Sequence, residues 1–492
     1  MGLLQRTFAW LVVAGLVAAC QTDPQVLGGD GLGAQDGLGD AATPADLGGQ
    51  DGAPAEDATA QDGKPLADTL DDTTAPDDGA SLGDLASPDG GDPGPYEGLY
   101  QDRVVLRFDL ELDTDDWEGV LGSILDCEGD MCGSKRLYVP GTMIFHNPWT
   151  GQDERVEQVA LRYRGNSSAC MPEDNPRIGY KVSLNEYEPG RRFHGQKKLN
   201  FLGTEGDSSL LREVLAFESM KKFGLPAAKV GFAWVRVNGG PGHLHPFIQE
   251  SDDTPYIEEI LGETTKGAYF KVDGYCGRPE FTEWEEGIQP ASLTKVWEPK
   301  AGTLPEAMNT TLIPLLECFS FDSDSQFQDC FEAKADADLW LRALAQDTAM
   351  PDPDGFGFSA KNHSLYFRHS DNRAVVVMWD KDGSYKPEFC YNEDIFECIP
   401  SWISTHSDGL MRLRDVYQQD LDTLMLTFAT TVMGDLFLPQ RLEHWYTLLT
   451  PFAALDDDMV DHALGWDWDE SVQSLRDKIL ARRAALTDAL SN

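Results

Sequence analysis

Positive charge is scarce in this chain: 39 Lys and Arg stand against 84 Asp and Glu in 492 residues, a formal net charge of −45 at pH 7. Nucleic acid and anionic lipid are held through a basic face, so the overall field excludes both as partners bound by charge alone, and no nucleic-acid ligand is expected. Local basic clusters must do any phosphate binding. The apolar run from Phe8 to Ala19 is too short to span a bilayer, which takes about 20 residues. No CxxC pair occurs, which makes zinc a weaker reading of the cysteines than disulfides. The two Asp-x-Asp-Gly stretches, at Asp352 to Gly355 and Asp380 to Gly383, lack the closing Glu of an EF-hand.

What the chain does have begins with its address. Arg6 precedes the apolar run, and Val17, Ala18 and Ala19 lead into Cys20, the pattern of a lipoprotein signal over residues 1–20 whose cleavage leaves Cys20 as the lipid-bearing N-terminus. Gln21 after that cysteine resembles the sorting signal of an outer-membrane or cell-surface lipoprotein, anchored to the membrane by its N-terminal lipid. Residues 21–97 are Gly, Asp, Ala and Pro with almost no aromatics, and hold 18 acidic residues against one Lys. Such a stretch cannot bury enough apolar surface to offset its ordering entropy and reads as a solvated, disordered linker. Taking away its −17 and the +1 of Arg6 leaves −29 on residues 98–492, a solubility feature of the folded part.

Cys127, Cys132, Cys170, Cys276, Cys318, Cys330, Cys390 and Cys398 follow Cys20, and an even count in an exported chain favours disulfides. Proximity pairs Cys127 with Cys132, Cys318 with Cys330 and Cys390 with Cys398, leaving Cys170 with Cys276.

The remaining length favours two lobes or one large mixed domain. Alternating apolar and polar residues from Val104 to Leu112, and more loosely over Leu137–Phe145 and Val156–Tyr163, predict a β-rich start. Arg162, Arg164, Gly165, Asn166, Ser167 and Ser168 join a strand end to a loop that can turn backbone N–H groups and arginine forks toward an anion. Pairing of Arg162 and Arg164 with surface carboxylates is the plainer alternative. Lys181 lies on the next strand, Tyr180–Leu184. Leu199 and Phe201 predict another strand, Asp207–Ser209 a cap, and Leu210–Phe223 a helix stopped by Gly224 and Pro226. Glu213 on that helix is the expected partner of Lys181, since kinases orient a phosphate-binding Lys with a helix Glu. Val230–Val237, the turn Asn238-Gly239-Gly240 and His245–Gln249 predict a hairpin, and Gly267–Asp273 a short strand. From Leu304 the period lengthens to that of helices, over Leu312–Phe319 and Ala335–Ala345.

The stretch from Asp354 to Asp382 carries the most chemistry. Ala374 to Met378 is short, apolar and largely β-branched, a buried strand that ends by presenting Trp379 and Asp380. With Asn362 upstream and Asp382 beyond, these oxygen donors suit a Mg²⁺ ion that also binds a nucleotide phosphate. The order Asp, Asn, Asp is that of a kinase catalytic loop followed by its metal-binding Asp. Asp-Gly is also an ordinary turn signal that needs no ligand.

The succession RYRGNSS, YKVSL, KLNFLGTEGDSSLLREVLAFESMKKFGLPA, GAYFKVD, KNHSLYF and WDKDGSY, with the last helix SLRDKILARRAAL, resembles the spore-coat protein H (CotH) kinase family over about residues 100 to 490. The resemblance implies an α+β, divergent protein-kinase-like two-lobed fold over residues 98–492, β-rich first and helical after. It also implies ATP with Mg²⁺ or Mn²⁺, and γ-phosphoryl transfer to Ser or Thr of a protein substrate. Asp354 then resembles the catalytic base, with Asp352 as the alternative register. Asn362, Asp380 and Asp382 resemble metal ligands, and Arg164, Ser167, Ser168 and Lys181 a nucleotide-phosphate group. Two other readings use the same residues: a catalytically inactive surface adhesion or binding protein on that scaffold, and a Ca²⁺-dependent structural module drawing on the Asp-x-Asp-Gly turns with Asp322 and Asp324.

Overall fold

The computed structural model describes residues 97–123, 137–165, 177–203, 207–263, 267–386 apart from 273, 275 and 278, 407–456, 459 and 467–491. All of them fall in one compact unit, Pro76–Asn492. Cys20, residues 21–96 of the acidic stretch, Asn166, Ser167, Ser168, Cys127, Cys132, Cys170, Cys390 and Cys398 lie outside the described residues.

The β-rich start closes on itself. Strands β1 (Val105–Glu111), β2 (Val139–Asn147), β3 (Gln152–Arg164), β4 (Gly179–Ser183), β5 (Lys198–Phe201), β6 (Val230–Val237) and β7 (Gly242–Ile248) form a barrel in the order β1-β2-β3-β4-β5-β7-β6. Neighbours pair antiparallel except β1 and β6, which run parallel and seal it. Period-2 alternation sends Leu106, Phe108 and Leu110 of β1 inside, as a barrel wall requires. Phe108 fills the middle, its ring 5.0 Å from Phe145, 5.1 Å from Phe201 and 5.7 Å from Phe247. Gly141 sits where the β2–β3 register shifts, and a side chain there would collide with Leu161 and the Glu111 carbonyl. The β6–β7 turn is the one expected, with Asn238 (φ 48°) and Gly239 (φ 70°) in the left-handed region.

The rest is mixed. A second sheet, ordered β11-β10-β8-β9, comprises β8 (Ala268–Val272), β9 (Trp297–Pro299), β10 (His363–Phe367) and β11 (Ala374–Met378). The longer helices are α1 (Trp117–Ser123), α2 (Arg212–Lys222), α3 (Leu312–Cys318), α4 (Asp324–Lys334), α5 (Ala337–Ala349), α6 (Asp408–Val416), α7 (Gln418–Thr431), α8 (Leu438–Ala453) and α9 (Trp468–Leu490), with short helical turns at Thr254–Glu259, Pro290–Leu293, Pro305–Thr310 and Phe356–Ser359. One apolar core runs through α2, this sheet and the later helices, and a separate core fills the barrel. All five residues of β11 are buried, and the Trp340 indole of α5 donates to the Ala374 carbonyl at 3.0 Å. Helix α5 starts two residues later than the periodicity predicts because the Asp336 side chain caps it, accepting from the Leu339 amide. The Cys318–Cys330 bond is present, joining α3 to α4. Cys276 is also disulfide-bonded. Among the described residues no helix is long and apolar enough to cross a membrane.

Candidate functional site

The β10–β11 hairpin positions the carboxylates. The two strands pair from His363 with Met378 to Phe367 with Ala374, so Asn362 and Trp379 meet at the open end, where the Trp379 amide donates to the Asn362 carbonyl at 2.9 Å. Asn362 (φ 49°) and Asp380 (φ 57°) both take the left-handed conformation, which Asn and Asp tolerate better than most residues. The backbone thereby places Asn362 and Asp380 at one end of the hairpin.

Beyond Asp380 the chain dives inward. Lys381 is buried, its ammonium 2.6 Å from Asp347 Oδ1 and 2.6 Å from Asp352 Oδ2. Burial works against that charge, but the two carboxylates hold the Lys381 pKa above its ordinary value. Burial also pushes the Asp352 carboxyl up to about 6 against the pull of Lys381, with the charges of Asp347 and Asp354 adding to the rise. Side chains at Gly355 and Gly383 would run into these carboxylates, so the Asp-x-Asp-Gly glycines make room for a buried ion cluster.

The two candidate bases have opposite surroundings. Asp352 is fully buried and bound to Lys381, and its Oδ1 accepts from the Asp354 amide at 3.2 Å. Asp354 is exposed and pairs with Lys361 at 3.2 Å. Asp352 thus shapes the turn that presents Asp354 to solvent.

Helix α2 docks on the segment after the hairpin. Asp207 accepts from the Arg212 amide at 3.0 Å and anchors the start of the helix, while Arg212 Nη1 donates to the Ser384 and Tyr385 carbonyls at 3.0 Å each. Glu213 is buried and accepts from the backbone of Lys381. Burial, then the charge of Asp380, push its carboxyl well above the usual range; Arg164 opposes them and Asp382 adds to them. Glu213 therefore faces the Asp380–Asp382 turn, and the expected pairing with Lys181 is not formed.

Lys181 instead pairs with Glu250, just after β7. Sequence reasoning joined residues 181 and 213 by analogy, without a signal for Glu250 in the Gln249-Glu250-Ser251-Asp252-Asp253 stretch. Burial lowers the Lys181 pKa to about 8, against the pull of Glu250. Lys198, Lys271 and Lys300 approach Asp252 at 3.8, 3.4 and 3.9 Å, and Lys197 lies 3.4 Å from Asp253. The Lys271 ammonium also sits 4.0 Å from the centre of the Trp379 ring, a cation–π contact. Arg162 donates to the Tyr163 carbonyl and lies over Tyr138.

Among the described residues no three His, Cys, Asp or Glu side chains gather closely enough to hold a metal ion by themselves. Mg²⁺ does not need such a cage, because it takes one or two carboxylates and completes its shell with water and phosphate oxygens. The all-oxygen set Asn362, Asp380 and Asp382 fits that chemistry. Asp322 and Asp324 are exposed, and Asp324 lies near Arg412 at 3.8 Å.

Residues 161–486 match the family described as CotH kinase protein. This chain belongs to the CotH kinase protein family. Within that family's range lie β4 to β11, Lys181, Glu213, Asp354 and the Asp380–Asp382 turn. The inner spore coat protein H of Bacillus subtilis (strain 168) is 24% identical over 228 residues, covering 46% of this chain and 59% of that protein. The aligned part thus spans less than two thirds of that relative's length. A solved complex of the Shewanella oneidensis MR-1 toxin–antitoxin proteins HipA and HipB with operator DNA overlaps 67% of this chain and 74% of that one, with a TM-score of 0.30 and 14% identity. An overlap that weak carries no argument here.

Proposed function

We propose that this CotH kinase family member is an ATP-dependent protein kinase with a two-lobed kinase-like fold, the barrel forming one lobe and the helical part the other. The acceptor is a Ser or Thr of a protein substrate. The observation that carries the reading is the open end of the β10–β11 hairpin, where Asn362 and Asp380 are held together beside Asp382 and Glu213. Asn362, Asp380 and Asp382 would hold Mg²⁺ or Mn²⁺. When bound, ATP supplies the phosphoryl group and the metal neutralises its charge. Asp354, exposed beside the turn that Asp352 and Lys381 brace, would take the proton of the attacking hydroxyl.

The test is phosphate incorporation by the full-length chain with ATP and Mg²⁺ or Mn²⁺ on a panel of acidic and basic proteins, against Asp380→Ala. Loss of incorporation in the variant at an unchanged melting temperature is the expected result; none in the parent protein overturns the catalytic reading. A binding protein on an inactive kinase-like scaffold is the second reading, favoured by the pairing of Lys181 with Glu250 in place of Glu213.

We also propose a location at the outer membrane or cell surface through a lipid on Cys20, a reading supported by Val17, Ala18 and Ala19 before Cys20 and Gln21 after it. Mass spectrometry of the mature N-terminus should find a diacylglyceryl group on Cys20, removed by Cys20→Ser; an unmodified N-terminus at any other residue rejects the anchor.

A further inference from the structure

The buried group around Lys381 takes no direct part in the proposed phosphoryl transfer, yet it holds the parts of a reaction of its own. Lys381 Nζ is 2.6 Å from Asp347 Oδ1 and 2.6 Å from Asp352 Oδ2, and none of the three side chains is more than 1% exposed. One carboxylate is enough to balance a lysine. A second, taken out of water, is a costly addition to an ion pair whose only task is to hold two segments together.

The surroundings give each group a different chemical part. A primary amine is a nucleophile once it gives up a proton, and a nitrogen that donates to Asp347 Oδ1 is at most one C–O bond further from Asp347 Cγ. Asp352 touches the same nitrogen, where a carboxylate can take that proton. The Gly357 amide donates to Asp347 Oδ2 at 2.9 Å. The carboxyl oxygen that Lys381 does not bind therefore already has a donor suited to the negative charge of a tetrahedral intermediate. Glycine backbone closes over the group: a side chain at Gly355 would meet Asp347 and Lys381, and one at Gly383 would collide with Asp352.

We propose that Lys381 and Asp347 condense into an amide that covalently fastens the last turn of α5 to the segment after β11, with Asp352 as the proton carrier. Nζ gives one proton to Asp352 and adds to Cγ. The Cγ–Oδ1 bond then breaks, and Oδ1 leaves as water with that proton from Asp352 and a second from the nitrogen. Oδ2 stays as the amide carbonyl on the Gly357 N–H. An ammonium and a carboxylate thus become a neutral amide and one water, with no oxidant, reductant or co-reactant. Two effects offset the unfavourable equilibrium of amide formation from ions in water. Contact between the partners is worth effective molarities of about 10⁵–10⁸ M, and the product removes two charges from a place where they are poorly solvated. The bond joins the helix end that precedes Asp354 to the residue that follows Asp380, and so fixes the spacing of the two.

A loss of stability on replacing Lys381 follows from an ion group and from an amide alike, so covalent mass is the readout. The full-length chain is unfolded, reduced and digested with trypsin, and its peptides are sequenced by mass spectrometry. The parent protein should yield a branched peptide that joins the segments of residues 347 and 381, one water lighter than their sum and uncut after Lys381. Lys381→Arg, which keeps the charge but not the reactive amine, and Asp347→Ala should each yield the linear peptides alone. Asp352→Asn keeps both reacting groups and should slow the appearance of the branched peptide about a hundredfold; an unchanged rate removes Asp352 from the reaction. The parent's own digest decides the proposal even where a variant fails to fold: linear peptides only, cut after Lys381, overturn the amide and leave an ion group in its place.

Discussion

At the scale of single residues, the decisive side chain is Lys381, one that sequence reasoning passed over. It sits between two candidate metal ligands and points away from them into the core, where Asp347 and Asp352 enclose it. Removing one partner of a buried ion group costs about 3–5 kcal/mol, because the charges left behind have neither water nor counter-ion. Lys381→Met should therefore lower the urea-derived unfolding free energy by that order, and adding Asp347→Asn and Asp352→Asn should restore part of it; a stability equal to the parent's would mean that the carboxylates find other partners. The sequence did contain a signal, since a lysine flanked by Asp and followed by Gly occurs where a second Asp-x-Asp-Gly turn lies upstream. What it lacked was depth: Asp352 and Asp354 look alike in the chain and differ completely in burial. Glu213 was similarly legible as a site candidate while its partner was not, because a carboxylate can meet a lysine or a second carboxylate turn with the same local pattern.

Among elements, the local ones were legible and the closures were not. Strands β1, β4, β6 and β11 follow their alternation or apolar runs to within about two residues, and α2 stops where Gly224 and Pro226 end the pattern. The parallel pairing of β1 with β6, which turns a β-rich start into a closed barrel, joins Val105 to Phe232, and nothing in either strand names the other. Helix α9 shows the same limit. Its Arg482 donates to the Thr348 and Ala349 carbonyls at the end of α5, satisfying acceptors that the helix leaves open just before Asp352. Burial lowers that guanidinium's pKa to about 10, the cost of a cap placed between helices. The segment carrying Asp352 and Asp354 is thus held by α9 through α5, while α2 holds the segment after Asp380 through Arg212. Elements far apart in the chain fix both sides of the candidate site.

For the molecule as a whole, family membership was legible because the order of short motifs persists over residues 161–486 even where each motif alone is weak. Stability against pH was not, since it depends on which ionisable groups end up buried. His245 is 1% exposed, its Nδ1 lies 2.8 Å from the Leu202 carbonyl, and its Nε2 has no partner among the described residues. Burial, with Arg177 and His243 adding to it, lowers its pKa to about 3, against about 6.5 in an unfolded chain. Between those values the unfolded state binds the extra proton, so this group's contribution falls as pH falls, by about 2 kcal/mol at pH 5. Asp352 acts in the opposite sense: with its folded pKa raised, the native state takes up the proton first, and acidification from about pH 6 toward 4 favours folding through that group. The measured curve sums both signs, so the difference between two proteins is the informative quantity. His245→Asn keeps a side-chain N–H for the Leu202 carbonyl and removes the titration. Its urea-derived stability should drop less between pH 7 and pH 5 than the parent's, by about 2 kcal/mol; equal drops would mean that His245 carries its proton inside the fold.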